Sequence, residues 1–523
     1  MNKFYLTTAI DYVNGAPHIG HAYEKIMADV IIRHMRQRSE YSDVYFLTGT
    51  DEHGVKIQKT AEASGISPQE LCDQNAQKFV DAWKQLEISY DKLIRTTSPE
   101  HKSAVQKIFK KLLDNGDIYK HSYTGLYCAG CESFLNARDL TEDGLCPDHL
   151  KKPEEVKEEN YFFKLTKYKN RIIEHIKTNP EFLQPSFRVN EVLNQLEDIE
   201  DISVSRTKSS VEWGIPVPGD DSQIIYVWID ALSNYITALG YDTETENEQF
   251  KKYWPADVQV IGKDIIKFHS IYWIAILMAL GLELPKTILG HGWITIDQAK
   301  MSKSVGNVIA PKDVIESFNM ENGDAFRYYM MVTALFGRDG NYSDEDFKEK
   351  VNADLANNIG NLLNRTLNML VKYFDGEIKE EFVTPADCEI AVLAQKTTDE
   401  VKNRFNNYQV AEAANAIVDF SNSVNKYVTD NAPWTLAKEE KMADCAKVIY
   451  NVLESMRYIA VLLSPYCPNI SNDILEQIEA EKNLNIDSLK WGSLKIGKIT
   501  DKEKIKPVFL RLDSEFATDK KKG

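Results

Sequence analysis

Asp11-Tyr12-Val13-Asn14-Gly15-Ala16-Pro17-His18-Ile19-Gly20-His21 lies between an apolar segment, Phe4–Ile10, and an amphipathic one, Ala22–Arg38. These flanks are typical of a buried strand and a helix, so the stretch is predicted to be a strand–loop–helix turn. His18 and His21, three residues apart in the first helical turn, point the same way. Helix N-termini attract anions, so the two imidazoles could donate hydrogen bonds to phosphate oxygens. A surface pair or half a metal site is the simpler interpretation.

A second short stretch, Lys300-Met301-Ser302-Lys303-Ser304, lies far downstream. Its two lysines could close over a triphosphate as mobile point charges, although a solvated basic turn is the plainer alternative. Together the two stretches resemble the paired signatures of class I aminoacyl-tRNA synthetases. Four further motifs resemble the methionyl-tRNA synthetase family and occur in its order: Asp51-Glu52-His53-Gly54, Tyr226-Val227-Trp228-Ile229-Asp230-Ala231, Gly262-Lys263-Asp264-Ile265 and Ala432-Pro433-Trp434.

Composition indicates a multidomain globular protein. A chain of 523 residues, 43% hydrophobic and 27% charged, is too long for one core. Its net charge of −17 argues against general nucleic-acid binding, because such binding depends on lysine and arginine. The longest apolar stretch, Ile271–Leu284, is too short to span a membrane. The first strand begins at residue 4, which leaves no room for a signal peptide, so we expect a cytoplasmic protein with no membrane partner.

Three of the seven cysteines form a cluster with a histidine. Cys128 and Cys131 are separated by two residues, as are Cys146 and His149, and fourteen residues lie between the pairs. This spacing is typical of a closed tetrahedral zinc site with a structural role. A knuckle that has lost its metal but kept its ligands is the alternative.

The predicted fold class is α/β. We expect a Rossmann-like parallel sheet with an inserted zinc-knuckle connective domain, followed by an all-α helical bundle. Lys151–Asn160 is interpreted as a charged linker, and Gln223–Trp228 as the buried strand at which the sheet resumes. The predicted domains are residues 1–115 (first half of the catalytic domain), 116–212 (connective insert with the zinc knuckle), 213–295 (second half of the catalytic domain), 296–345 (the Lys300 loop and a segment contacting the tRNA stem) and 346–523 (helical anticodon-binding domain).

The family resemblance implies substrates and partners as well as a fold. They are ATP with Mg²⁺, L-methionine, and the initiator and elongator methionine-accepting tRNAs. The insert is too short for a separate editing domain, so discrimination is expected in the synthetic site. A monomer is expected, because the chain ends soon after the bundle.

The same resemblance implies roles for particular residues. His18, His21, Lys300 and Lys303 would be catalytic, and Gly20, Gly262, Asp264 and Lys303 would bind ATP. The methionine site would comprise Ile10, Tyr12, Asp51, Trp228, Ala231, Tyr235, Ile265, His269 and Trp273. The aromatic rings suit a thioether, and the Asp51 carboxylate suits an ammonium. Asn361, Arg365 and Trp434 would read the anticodon.

Three alternatives remain open at this stage. Another class I synthetase is the nearest, although the cysteine enzyme keeps its zinc beside the substrate rather than in a distal insert. A nucleotidyltransferase with a similar turn would explain roughly the first 310 residues, but not the helical bundle. A non-catalytic RNA-binding module would not need His18, His21 and Lys303 together.

Overall fold

The computed structural model describes residues 2–128, 133–135, 140–147, 150–242, 247–296 and 308–512. Its strands are β1 (Asn2–Thr8), β2 (Asp11–Tyr12), β3 (Tyr41–Asp51), β4 (Lys92–Arg95), β5 (Ile118–Cys128), β6 (Ser133–Leu135), β7 (Glu154–Phe163), β8 (Leu183–Gln184), β9 (Ile202–Ser203), β10 (Ser205–Thr207), β11 (Pro216–Val217), β12 (Asp220–Ile225), β13 (Val258–Gly262), β14 (Thr287–His291), β15 (Ile294–Ile296), β16 (Gly340–Tyr342), β17 (Glu377–Ile378) and β18 (Gly497–Lys498).

The helices alternate with these strands until about residue 340 and dominate thereafter. They are α1 (Ile19–Arg36), α2 (Val55–Ser64), α3 (Pro68–Gln85), α4 (Pro99–Asp114), α5 (Lys169–Thr178), α6 (Val189–Glu197), α7 (Val227–Thr237), α8 (Glu248–Tyr253), α9 (Ile274–Leu280), α10 (Pro311–Ser317), α11 (Asp324–Val332), α12 (Asp344–Val351), α13 (Asn361–Phe374), α14 (Glu389–Asn406), α15 (Val410–Asn431), α16 (Pro433–Lys438), α17 (Met442–Leu463) and α18 (Pro468–Gln477). Two π-helical segments, Phe268–Trp273 and Asn352–Gly360, lead into α9 and α13.

A parallel sheet forms the centre of the catalytic half. Its strand order is β2-β3-β1-β13-β14-β8, and β4 pairs with β3. In the register, Leu6 of β1 lies between Phe46 and Val258, and all three side chains are buried. The connections that follow β1, β3 and β13 therefore meet at one edge, where parallel sheets bind ligands. The predicted α/β fold with a parallel sheet is confirmed.

The segment Lys151–Asn160 is not a linker, and this prediction was wrong. Glu154–Phe163 forms β7, a long strand that pairs antiparallel with β5 from Tyr127↔Glu154 to Ile118↔Phe163. An antiparallel ladder satisfies its backbone groups while one face remains in water, so charged side chains are tolerated there. Composition alone cannot distinguish such a strand from a solvated linker.

The interpretation of Gln223–Trp228 was also wrong. β12 ends at Ile225 and pairs antiparallel with β10 and β11 in a separate three-stranded sheet, and α7 already begins at Val227. A short apolar run shows burial but not which sheet buries it. Conversely, Leu183–Gln184 of the insert joins the edge of the catalytic sheet beside β14.

The apolar stretch from Ile288 to Ile294 is divided between two strands. β14 ends at His291, and Ile294 begins β15, which pairs with β16. The tight connection contains Gly292, where a Cβ would lie 2.1 Å from the Arg338 carbonyl oxygen. That close approach of two backbones leaves no room for a side chain, so this position requires glycine.

From Asp344 to Gln477 the chain is predominantly helical, as predicted, and a short strand in this region, β17, pairs with β18 further along the chain. The stretch from Trp434 to Leu463 is divided between two helices, since α16 ends at Lys438 and α17 begins at Met442. Side chains from α1 and the helical part belong to one continuous apolar core. Among the described residues, no helix is both long and apolar enough to cross a membrane.

Candidate functional site

The N-terminus of α1 carries the two histidines singled out in the sequence. His18 caps the helix, and its Nδ1 accepts a hydrogen bond from the Gly20 N–H at 3.1 Å. His21 Nδ1 accepts from the His18 N–H at 3.1 Å, and the ring centroids lie 3.8 Å apart. Because Nδ1 accepts in both rings, the proton of each neutral imidazole lies on Nε2. The cap therefore makes both Nε2 atoms hydrogen-bond donors.

A cavity of about 350 Å³ opens beside the loop that leads to these histidines. All the predicted methionine-site residues except Trp273 line it, together with Asp264 of the predicted ATP site. Trp273 is fully buried behind the wall, with its ring 5.8 Å from that of Tyr235. The cavity is also lined by residues that the sequence analysis did not predict, namely Ala9, Lys56, Val227, Leu232 and Asn234.

The floor of the cavity is aromatic and uncharged. The Tyr235 hydroxyl lies 2.7 Å from His269 Nε2, and His269 Nδ1 lies 3.0 Å from the Ile265 carbonyl oxygen. Since a carbonyl can only accept, Nδ1 carries the proton and Nε2 accepts from the tyrosine. Burial lowers the pKa of His269 to about 4, which keeps the ring neutral near pH 7. Trp228 covers one side and stacks on Phe268 with 3.7 Å between centroids.

Residues next to the rim of the cavity form buried networks of hydrogen bonds. Asp51 ends β3, and the adjacent Glu52 accepts hydrogen bonds from Arg95 at 2.7 and 3.0 Å. His53 Nδ1 lies 2.6 Å from one Asp230 oxygen, and His101 Nε2 lies 2.8 Å from the other. Burial opposes ionisation of Asp230, but the two histidines outweigh it and lower its pKa to about 2.

This bridge joins the loop that carries Asp51 to helix α7. The same helix supplies Trp228, Ala231 and Tyr235, so the bridge fixes two walls of the cavity relative to each other. Asp230 is part of a motif visible in the sequence. Its two histidine partners are 177 and 129 residues away, so no spacing rule could have paired them.

A second buried ionic cluster supports the first turns of α1. Lys25 Nζ donates to Asp11 at 3.0 Å, to Glu24 at 2.8 Å and to the Ala9 carbonyl at 2.9 Å. Burial and the nearby Glu24 raise the pKa of Asp11 to about 7, although Lys25 opposes this. Lys25 therefore anchors Ala9, a residue of the cavity wall, to the helix that carries His18 and His21.

The predicted ATP residues are only partly described. Gly262 ends β13, and a Cβ on it would lie 2.7 Å from Asp264 Oδ1. Asp264 Oδ1 also accepts from Trp293 Nε1 at 3.2 Å. Gly20 lies in the first turn of α1. Lys300 and Lys303 lie outside the described residues.

The predicted zinc ligands are divided in the same way. Cys128 at the end of β5 and Cys146 are both buried, whereas Cys131 and His149 lie outside the described residues. The Cys146 N–H donates to the Lys151 carbonyl at 2.9 Å, and the Leu150 N–H donates back to the Cys146 carbonyl at 2.8 Å. In the described part of the chain, no three His, Cys, Asp or Glu side chains gather as a metal site. The two buried cysteines, Cys128 and Cys146, carry sulfur atoms of the kind that zinc binds.

The predicted anticodon residues lie on two helices. Asn361 and Arg365 are on α13, where Asn361 is exposed and Arg365 Nη2 donates to Asn425 Oδ1 at 2.8 Å. Trp434 lies at the start of α16 and is 43% exposed, a large fraction for an indole. These three roles stay predictions.

Comparison with known proteins identifies the family. The family model described as "tRNA synthetases class I (M)" matches residues 4–154 and 148–367, and "Anticodon-binding domain of tRNA ligase" matches residues 387–513. The chain is 48% identical over 496 residues to "Methionine--tRNA ligase" of Clostridium perfringens, covering 94% of this chain and 75% of that protein. It is 45% identical to the Caldanaerobacter subterraneus protein of the same name, covering 98% of this chain and 79% of that protein.

A solved structure extends the similarity to the fold. Mycobacterium tuberculosis methionyl-tRNA synthetase in complex with methionyl-adenylate superposes with a TM-score of 0.90 and 37% identity, covering 95% of this chain and 98% of the other. The family models, the relatives and the fold agree with the order of motifs in the sequence and with the neutral, aromatic cavity beside the α1 histidines. The chain therefore belongs to the class I methionine–tRNA ligases, the methionyl-tRNA synthetases.

Proposed function

We propose that this enzyme joins L-methionine to ATP, giving methionyl-adenylate and pyrophosphate, and then transfers methionine to the terminal adenosine of initiator and elongator methionine-accepting tRNAs. The observation that carries the proposal is the cavity with a neutral Tyr235–His269 floor and a carboxylate, Asp51, at its rim. Asp51 would bind the substrate ammonium. The thioether would lie against the aromatic rings, which it contacts favourably.

In the first step, an oxygen of the methionine carboxylate attacks the α-phosphorus of ATP. A carboxylate–phosphorus bond forms, the bond from the α-phosphorus to the bridging oxygen breaks, and pyrophosphate leaves with the electron pair. No protein nucleophile is required, so catalysis comes from alignment and stabilisation of phosphate charge. His18 and His21 would donate from Nε2, which the helix cap leaves protonated. Lys300 and Lys303 would contact the β- and γ-phosphates, and Mg²⁺ bound to ATP would share their charge.

The remaining ATP contacts follow from the edge of the sheet. Asp264 would accept hydrogen bonds from the ribose hydroxyls, and Gly262 leaves space for that carboxylate. Gly20 would leave room for the adenosine. In the second step, the 2′-oxygen of the terminal adenosine would bond to the methionyl carbonyl carbon, the bond from that carbon to the phosphate oxygen would break, AMP would leave with the electron pair, and the hydroxyl proton would pass to solvent.

The zinc and anticodon assignments belong to the same proposal. Cys128, Cys131, Cys146 and His149 would hold one structural Zn²⁺, which would fix the tip of the β5–β7 hairpin. Asn361, Arg365 and Trp434 would bind unstacked anticodon bases by hydrogen bonding and stacking. A monomeric state and a cytoplasmic location also stay proposals.

Pyrophosphate exchange tests the central proposal. Each of the twenty amino acids would be assayed with ATP and labelled pyrophosphate in the absence of tRNA, and charging of a methionine-accepting tRNA would be measured separately. Exchange should depend on methionine, and charging should follow. Exchange with another amino acid in place of methionine would contradict the assignment of methionine as the substrate. Binding of tRNA without any exchange would contradict the proposal that the protein forms an adenylate. Metal analysis should find one zinc per chain, whereas a folded chain without zinc would contradict the metal assignment.

A further inference from the structure

Charge is distributed unevenly around the cavity. Among the described residues that line it, Asp51 and Asp264 are acidic, Lys56 is basic, and His269 is kept neutral by burial. The predicted site residues included both carboxylates but not the lysine. Lys56 therefore introduces positive charge into a site for a zwitterionic amino acid.

Hydrogen bonds to the segment around Trp213 fix the backbone on either side of Lys56. It is the second residue of α2, five residues after Asp51 at the end of β3. The Gly54 N–H donates to the Trp213 carbonyl at 3.1 Å, and Gln58 Oε1 accepts from the backbone N–H groups of Glu212 and Trp213 at 3.0 and 3.3 Å. The first turn of α2 is thus held on both sides of Lys56.

The side chain extends from this turn toward the substrate cavity. Lys56 Nζ lies 5.9 Å from the centroid of the Tyr12 ring, within the range of a cation–π contact. Tyr12 and Asp51 are paired in the β2–β3 ladder, and both line the cavity. The ammonium therefore lies at the rim where the polar end of methionine would bind, away from the thioether floor.

We propose that Lys56 binds the carboxylate of methionine, while Asp51 binds its ammonium; this inference rests on the proposed function. A carboxylate buried beside Asp51 and close to the phosphates of ATP needs a compensating cation, and a lysine ammonium supplies one. During adenylate formation Lys56 keeps its proton. Its ammonium orients the attacking oxygen, and after the carboxylate–phosphorus bond forms it remains beside the negatively charged α-phosphate.

The experiment compares two ligands that differ only at the carboxylate. L-methionine and L-methioninol, in which a CH₂OH group replaces the carboxylate, would be titrated against the wild type, Lys56→Met, Lys56→Arg and Asp51→Asn by calorimetry. Lys59→Met is the matched control, because Lys59 lies on the same helix and is exposed. Thermal unfolding of each variant would show that it is folded.

Lys56→Met should weaken methionine binding by about tenfold or more, since the variant loses a charge-assisted hydrogen bond, and should change methioninol binding less than about twofold. Lys56→Arg should restore much of the loss, whereas Asp51→Asn should weaken both ligands. Equal weakening of both ligands by Lys56→Met, or no weakening of either, would overturn the assignment of Lys56. A wild-type protein that binds neither ligand would instead overturn the proposed function.

Discussion

Helix α1 carries histidines at both ends, and the two ends have opposite environments. At its N-terminus, His18 and His21 are partly exposed and use Nδ1 to cap the helix, so that Nε2 remains a donor. At the other end, His34 is buried and stacks on Phe405 of α14, with 3.8 Å between centroids. Burial lowers the pKa of His34 to about 3, so it acts as a flat apolar ring. The comparison shows that packing decides whether a histidine serves chemistry or structure.

The buried end of α1 also joins the catalytic and helical parts of the enzyme. Gln37 donates to the Val461 carbonyl at 3.0 Å and to Ser464 at 2.7 Å. Arg327, fully buried, pairs with Asp29 of α1 at 2.7 Å and donates to the Pro465 and Tyr466 carbonyls at 2.7 and 3.0 Å. One rigid helix thus connects the candidate catalytic histidines to the domain that would read tRNA.

The largest expected effect concerns this joint. Arg327→Met should destabilise the protein by about 3–5 kcal/mol, because Asp29 would keep only Arg33 as an ionic partner and the buried carbonyls that Arg327 satisfies would lose their donor. Urea denaturation measures the change. Arg338→Met is the control, as Arg338 is exposed and outside the joint. Equal stability of the two variants would show that the joint is not held by the ion pair.

At the opposite end of the helix, His21→Asn should lower the rate of pyrophosphate exchange by about 10²–10³-fold, because one phosphate donor is lost. The asparagine oxygen can replace Nδ1 as the cap acceptor, so the melting temperature should stay within a few degrees. His121→Asn, a change at an exposed histidine, is the control. An active His21→Asn enzyme would remove the distinction between the two ends of α1.

The titration of His34 gives a pH test of the same comparison. Its pKa is about 3 in the folded protein and about 6.5 when unfolded, so only the unfolded chain takes up this proton on mild acidification. Its contribution to stability is therefore present above pH 6.5 and is lost as the pH falls toward 3. Between pH 7 and 5 the loss should be about 2 kcal/mol. His34→Phe should reduce the change in unfolding free energy with pH, as measured by urea denaturation. An unchanged pH dependence in this variant would contradict the role of His34.

The smallest effect is expected at Trp434, far along the helical part. Trp434→Ala should raise the KM for tRNA charging about tenfold, because base stacking is worth about 1–3 kcal/mol. Pyrophosphate exchange should not change. Phe187→Ala, at another exposed aromatic side chain, is the control. A parallel fall in exchange would show that Trp434 acts through the fold rather than through tRNA.

Sequence reasoning predicted the parallel sheet, α1 and most of the cavity wall, because these depend on local patterns and ordered motifs. It failed where pairing partners are distant in the chain. The charged strand β7 was interpreted as a linker since only its ladder with β5 stabilises it. The bridge from His53 through Asp230 to His101 was missed because the fold, not the spacing, brings these side chains together. Lys56 was missed because a lysine after a motif usually faces solvent.

The edge strand Leu183–Gln184 has a consequence for protein engineering. It hydrogen-bonds to Ile288 and Leu289 of β14, so a segment of the insert seals the flank of the central sheet. Excising residues 116–212 to make a minimal enzyme would expose that flank, and unpaired strand edges promote aggregation. A shortened version should therefore keep Leu183–Gln184 with its flanking residues, and also the buried ends of β5 and β7 at Ile118 and Phe163.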